Sequence, residues 1–332
     1  MTTTHYSSYS VTKRLLPSLL LLAGFGFLLL ASPDTARAAL IFEAGFESGN
    51  IVTVGGTGAL GSNTAIYQRS LTTANPLGQG SYLHVVKNST TTSGGYFPAV
   101  TFTPTSAANS WAALSTKVDD YVHLNGGADL FFRVNSLPSV YDNWFRPIDL
   151  TGGTPTGGVL RIALSANSTN SFNLLISGGS GSMINASGST VSSISVNGSL
   201  AVTTGATASI NHIGFTFSTA ADGWITAKLF GRTDGGAIDT SGTALATVTF
   251  KINSSVVTTG LTGGNFSLLG GSNSGTTNSS DIDYDLFRLY NSAPASFSAI
   301  APIPESATSS VLFGVLGALA CVIGWRGRML RR

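Results

Sequence analysis

The chain has 332 residues, with 17 Lys and Arg against 15 Asp and Glu, four His and one Cys. One Cys excludes an intrachain disulfide framework, and 42% hydrophobic residues exclude a charged disordered tail. The formal charge of +2 comes from the ends: residues 39–300 hold 10 basic and 13 acidic side chains, an acidic balance that excludes the footprint of a nucleic-acid binder.

The first element in chain order is a secretory signal peptide over residues 1–38. Lys13-Arg14 precede an apolar run from Leu15 to Leu30, and Ala36-Arg37-Ala38 forms a small-x-small cleavage site that puts the mature start at Ala39. A body over 39–290 follows. Short alternations of apolar and polar residues predict strands at Tyr82–Val86, Ala128–Asn135, Val159–Leu164, Phe172–Ile176, Ile210–Phe217, Trp224–Phe230, Leu245–Ile252 and Ile282–Tyr290. Weaker runs lie near Ile41, Val100 and Trp111, giving about a dozen strands. Turns are expected at Asn125-Gly126-Gly127, Ala221-Asp222-Gly223 and Asp234-Gly235-Gly236. Residues 177–209 are rich in Ser, Gly, Thr and Asn and offer only weak strands. Many short strands with regular turns predict an all-β, two-sheet sandwich or a barrel.

Residues 291–303, rich in Ser, Ala and Pro, read as a linker. The apolar run 307–325 is then long enough, at about 28 Å as a helix, to span a bilayer core. Arg326, Arg328, Arg331 and Arg332 follow it, so the body is expected outside the inner membrane and the tail inside.

Few residues of the body suit catalysis. Its two glutamates, Glu43 and Glu47, do not form an opposed acid and base pair of the kind glycosidases use. His84, His123 and His212 fall on separate predicted strands without zinc-like spacing and read as packing residues. Asp281, Asp283 and Asp285 are the sharpest cluster. Alternate residues of a strand share a face, so three carboxylates converge there and Ca²⁺, which takes hard oxygen ligands, is the candidate cation. The alternative is a turn cap at Asp281 with the others facing solvent. Tyr141 and Trp144 lie in a polar, loop-like stretch and are the candidate sugar-stacking residues, with packing of the loop as the alternative.

Two resemblances add to this reading. Pro304-Glu305 before the apolar run and the terminal arginines resembles a PEP-CTERM sorting signal, with Ser306 where that family's second proline is usual. The resemblance implies an exosortase-type membrane protease as partner, a transient membrane anchor, and export to the envelope, surface or matrix of an exopolysaccharide-producing bacterium. The body, from Phe42-Glu43-Ala44-Gly45-Phe46-Glu47 to the last strand Asp281–Asn291, resembles the laminin-G/concanavalin A-like jelly roll. The expected function is a non-catalytic cell-surface or extracellular-matrix protein associated with exopolysaccharide, not an enzyme. The alternatives are a carbohydrate-active enzyme with a carboxylate pair from distant positions, and a protein-binding adhesin or structural surface protein.

Overall fold

A computed structural model describes residues 38–47, 49–62, 67–72, 77, 80–87, 98–136, 145–153, 159–168, 170–178, 181–205, 207–253, 266–269 and 280–300. The chain divides into units 1–37 and 38–332, and every described residue belongs to the second. The signal peptide through Arg37 (with Ala36), Tyr141, Trp144, the span 307–325 and the sorting residues Pro304, Glu305, Arg326, Arg328, Arg331 and Arg332 lie outside the described residues. Among those described, no helix is long and apolar enough to cross a membrane.

The described strands are β1 (Leu40–Ala44), β2 (Gly56–Leu60), β3 (Tyr67–Thr72), β4 (Tyr82–Lys87), β5 (Pro98–Pro104), β6 (Ser115–Val118) and β7 (Tyr121–Leu124). They continue with β8 (Gly126–Ser136), β9 (Phe145–Gly153), β10 (Val159–Ser168), β11 (Ser171–Ser177), β12 (Met183–Asn185), β13 (Thr190–Val191) and β14 (Ser193–Ser199). The last are β15 (Asn211–Thr219), β16 (Ile225–Arg232), β17 (Ile238–Asp239), β18 (Ala246–Asn253), β19 (Phe266–Leu269), β20 (Ser280–Tyr290) and β21 (Ser296–Phe297). The fold is all-β, as the alternation predicts.

Two large sheets carry the body. One runs β13-β12-β18-β16-β15-β8-β20-β4-β3, with β1 added on β20 and the β6–β7 hairpin on β18; the other runs β14-β11-β10-β9-β19-β5-β2. The period-2 pattern decides which side chains meet between them. Leu130, Phe132 and Val134 of β8, Ile213, Phe215 and Phe217 of β15, and Leu174 and Ile176 of β11 all point into one buried core. Rings cross between the sheets: Phe132 lies 5.9 Å from Phe172, and Phe102 lies 5.2 Å from Phe42 and 5.8 Å from Phe287. Burying each such ring contributes up to about 3 kcal/mol.

Three local expectations change. Trp111 opens a short 3-10 turn, Trp111–Leu114, capped by the Ser110 side chain, and the strand starts only at Ser115. Gly126 and Gly127, expected in a turn, begin β8 instead. In the stretch read as linker, residues 291–298 fold back onto the body: β21 pairs with β17 and Phe297 is fully buried. The reason is steric. Gly127 and Gly214 lack side chains on the outer face of the large sheet, and a Cβ on Gly214 would stand 2.9 Å from the Phe297 ring.

Candidate functional site

The outer face of the large sheet carries the chemistry. On β4, Leu83 and Val85 enter the core, so Tyr82 and His84 face outward. On β20, Ile282 and Tyr284 are core residues, which turns Asp281 and Asp283 outward. On β8, Phe132 and Val134 point inward and Arg133 and Asn135 outward. Register then brings the three strands together, with Asp283 opposite His84 on one side and Arg133 on the other.

Asp283 is the hub, with its side chain only 1% exposed. Its Oδ1 lies 2.7 Å from His84 Nδ1, and its Oδ2 accepts from Arg133 Nη2 and from Asn135 Nδ2, both at 2.8 Å. Asn135 Nδ2 also donates to Asp281 Oδ1 at 2.9 Å, and that oxygen lies 3.5 Å from His84 Nδ1. His84 and Asp281 remain open to solvent, at 30% and 31%. Burial alone pushes the Asp283 carboxyl up, but hydrogen bonds from His84, Asn135 and Arg133 outweigh it and hold the group below 3.8. The His84 imidazole is raised above 6.5 by its hydrogen bond to Asp283, against burial, with the Asp281 charge adding to the rise.

Asp285 does not join this group. Between Tyr284, opposite Phe132, and Phe287, opposite Leu130, β20 carries an extra residue, and this bulge breaks the alternation that would align three aspartates. The described groups whose ligand atoms lie within 4.8 Å of one another are His84, Asp281 and Asp283. The repulsion that pointed to Ca²⁺ is offset by protein donors instead, since both Asp283 oxygens accept hydrogen bonds and one contacts the Arg133 guanidinium. Glu43 and Glu47 lie outside this group, Glu43 accepting from the Thr53 hydroxyl and Glu47 from the Ser81 amide. Tyr141 and Trp144 stand outside the described residues.

A second His, Asp and Arg set lies on the same face, beneath residues 291–298. Asp129, opposite Arg288 on β20 and Gly214 on β15, accepts from Arg288 Nε at 3.0 Å and again from Arg288 Nη2. His212 Nε2 lies 2.8 Å from Asp129 Oδ2, and its Nδ1 lies 2.8 Å from the Gly236 carbonyl oxygen. Asp129 and His212 are fully buried, with the His212 ring stacked 3.8 Å from Phe131. Of these residues the sequence singles out Asp281 and Asp283; His84 and His212 read there as packing residues, and Arg133, Asn135, Asp129 and Arg288 carry no assigned role. The signal available was their place at outward-facing positions of otherwise apolar strands.

No protein-family model matches the chain, and no curated protein matches it significantly. Solved structures do. The endo-beta-1,4-glucuronan lyase from the fungus Trichoderma reesei is 11% identical with a TM-score of 0.41, over 69% of this chain and 89% of that chain. The alginate lyase Aly36B is 14% identical with a TM-score of 0.34, over 69% of this chain and 85% of that chain. A double mutant of Aly36B in complex with alginate trisaccharide is 13% identical with a TM-score of 0.30, over 74% of this chain and 88% of that chain. At such identities the likeness concerns the fold alone. These neighbours are polysaccharide lyases by name, and the expectation of a non-catalytic, non-enzyme body draws no support from them.

Proposed function

We propose that the body is a carbohydrate-active enzyme that cleaves a uronate-containing polysaccharide by elimination, with His84 as the proton-transfer group. The observation that carries this reading is the 2.7 Å contact between His84 Nδ1 and the buried Asp283 carboxylate. With the Nδ1 proton donated to Asp283, a neutral His84 keeps its Nε2 lone pair for a substrate proton. Hydrolysis by two carboxyl groups fits less well, because Asp283 is buried and its oxygens are taken by three donors, leaving Asp281 as the exposed carboxylate of the pair. Elimination needs one base. His84 takes the proton from the sugar carbon bearing the carboxyl group, the electron pair forms a carbon–carbon double bond, and the neighbouring glycosidic C–O bond breaks. The leaving oxygen is then protonated, and Tyr82, on the same face of β4 with its ring centroid 6.2 Å from that of His84, is the nearest phenol described on this strand.

The finer architecture we assign is a concanavalin A-like jelly roll. Export by the signal peptide and trimming at the Pro304-Glu305 sorting signal by an exosortase-type protease belong to the same proposal, supported by the layout of the two ends. The test is a panel of neutral and acidic polysaccharides, read both for reducing ends and for the ultraviolet absorbance of an unsaturated uronide. Absorbance produced by the wild type and lost in folded His84→Ala supports elimination. Reducing ends without that absorbance, or no cleavage across the panel, refutes it.

A further inference from the structure

The two His, Asp and Arg sets are built alike. In each, an aspartate receives a histidine from one neighbouring strand and an arginine from the other, on one face of one sheet: His84, Asp283 and Arg133 in the open, His212, Asp129 and Arg288 under cover. Asp129 and Arg133 are four residues apart on β8, so the sets lie about 13 Å apart along the strand. The covered set differs in lying beneath residues 291–298, with Gly236 closing over His212 from the side. We infer that this segment is a movable strap, which lifts to expose His212, Asp129, Arg288 and the Phe131 ring as a continuation of the saccharide-facing surface around His84.

The strap is anchored at its start, where the Asn291 amide donates to the Ala39 carbonyl and the Asn291 side chain accepts from the Ala39 amide. The two-residue strand β21 pairs with β17, the Thr240 hydroxyl donates to the Pro294 carbonyl, and the Thr240 amide donates to the Ala295 carbonyl. Arg288 Nη2 donates to the Ser298 carbonyl at 2.7 Å, so a backbone oxygen of the strap takes a place that a ligand oxygen fits. Phe297 supplies most of the apolar contact, in a small cluster with Phe230, Ile238 and Tyr290 that stands apart from the main core. Beneath the ring lie the Gly127 and Gly214 backbone and, at 6.2 Å, the His212 imidazole, which holds Asp129 and through it Arg288. Burying a carboxylate, an imidazole and a guanidinium costs solvation, and part of that cost is returned when water reaches them. Lifting the strap therefore costs less than opening an apolar interface of the same size, and such segments belong to the locally unfolding end of a structure. The uncovered surface offers flat rings and a guanidinium beside a carboxylate, which suits a sugar ring carrying hydroxyl or carboxylate groups. The saccharide-facing role of this surface rests on the function proposed for the His84 face; the movement of the strap does not.

The strap can be tied to test this. Asp239 and Ser296 are exposed and directly opposite in the β17–β21 pair, a spacing that a disulfide spans. The full chain carrying Asp239→Cys, Ser296→Cys and Cys321→Ser is treated with diethyl pyrocarbonate, and histidine carbethoxylation is followed by mass spectrometry, with the open His84 as internal reference. Labelling of His212 is expected to be slowed at least about tenfold in the oxidised form and restored by reduction, with His84 unchanged. Equal His212 labelling in both forms overturns the inference. Phe297→Ala gives an independent check should the cysteines fail to close: faster His212 labelling at an unchanged His84 rate supports the strap, and an unchanged His212 rate overturns it.

Discussion

Replacing Asp283 by Asn probes the hub of the open site with almost no change in shape. The carboxylate accepts three hydrogen bonds, from His84, Arg133 and Asn135, at 2.7–2.8 Å. An amide turned with its oxygen toward Arg133 and Asn135 keeps those two bonds without the charge, and its NH₂ then meets His84 Nδ1, which must give up its proton to accept. Removing one side of a fully buried ion pair costs about 3–5 kcal/mol, but Arg133 is 17% and His84 30% exposed, so water takes up part of the loss and about 2–3 kcal/mol is expected. For a body of this size that lowers Tm by about 4–10 °C. The loss should depend on pH. The carboxyl sits below 3.8 in the folded protein, so its contribution is present above that value and fades as pH falls through the lower native one. His84 runs the opposite way: raised above 6.5, it contributes fully below 6.5 and loses this as pH rises through the native value. The gap between wild type and Asp283→Asn is therefore widest between about pH 4 and 6.5 and narrows on both sides. Chemical denaturation at about pH 3, 5 and 9 measures it. A gap that stays constant across these values, or below about 1 kcal/mol at pH 5, refutes the account of Asp283 as a charged hub.

If His84 is the base, cleavage should rise with pH as the imidazole loses its proton above 6.5, and Asp283→Asn should move this limb back toward 6.5; a pH–rate profile of both proteins decides. Phe102→Ala removes a fully buried ring in contact with Phe42, Phe46 and Phe287 and is expected to cost about 3–5 kcal/mol in urea unfolding. Because the Asp283 oxygens already accept from Arg133, His84 and Asn135, adding Ca²⁺ or EDTA should move Tm by less than about 1 °C, and a larger gain with Ca²⁺ would count against that arrangement. Mass spectrometry of the protein from its host envelope should find a chain that starts at Ala39 and ends near Glu305; an intact Arg332 would count against sorting.

The site was less legible than the strands that bear it. Alternation in Tyr82–Val86 or Ile282–Tyr290 is local, and local sterics turn successive side chains to opposite faces whatever the rest of the chain does. The strands, their inward residues and the outward Asp281 and Asp283 could therefore be read directly. What could not be read is adjacency. His84 and Asp283 are 199 residues apart, and Arg133 and Asp283 are 150 apart. Their meeting depends on the order β8-β20-β4 and on register, which are chosen by the fit of the whole core. The bulge at Asp285 is likewise settled between strands, which is why a run of three alternate aspartates yields only two neighbours. Residues 291–298 show the same division from the other side. Their composition is that of a linker, yet one phenylalanine in that stretch finds a socket left by Gly127 and Gly214, and only the folded sheet brings those two glycines onto neighbouring strands beneath it. Composition and alternation determined an all-β body with an apolar interior, because both act through neighbours in the chain. The tertiary structure decided which histidine meets which carboxylate and which of those pairs water reaches, because both depend on contacts between residues far apart in sequence.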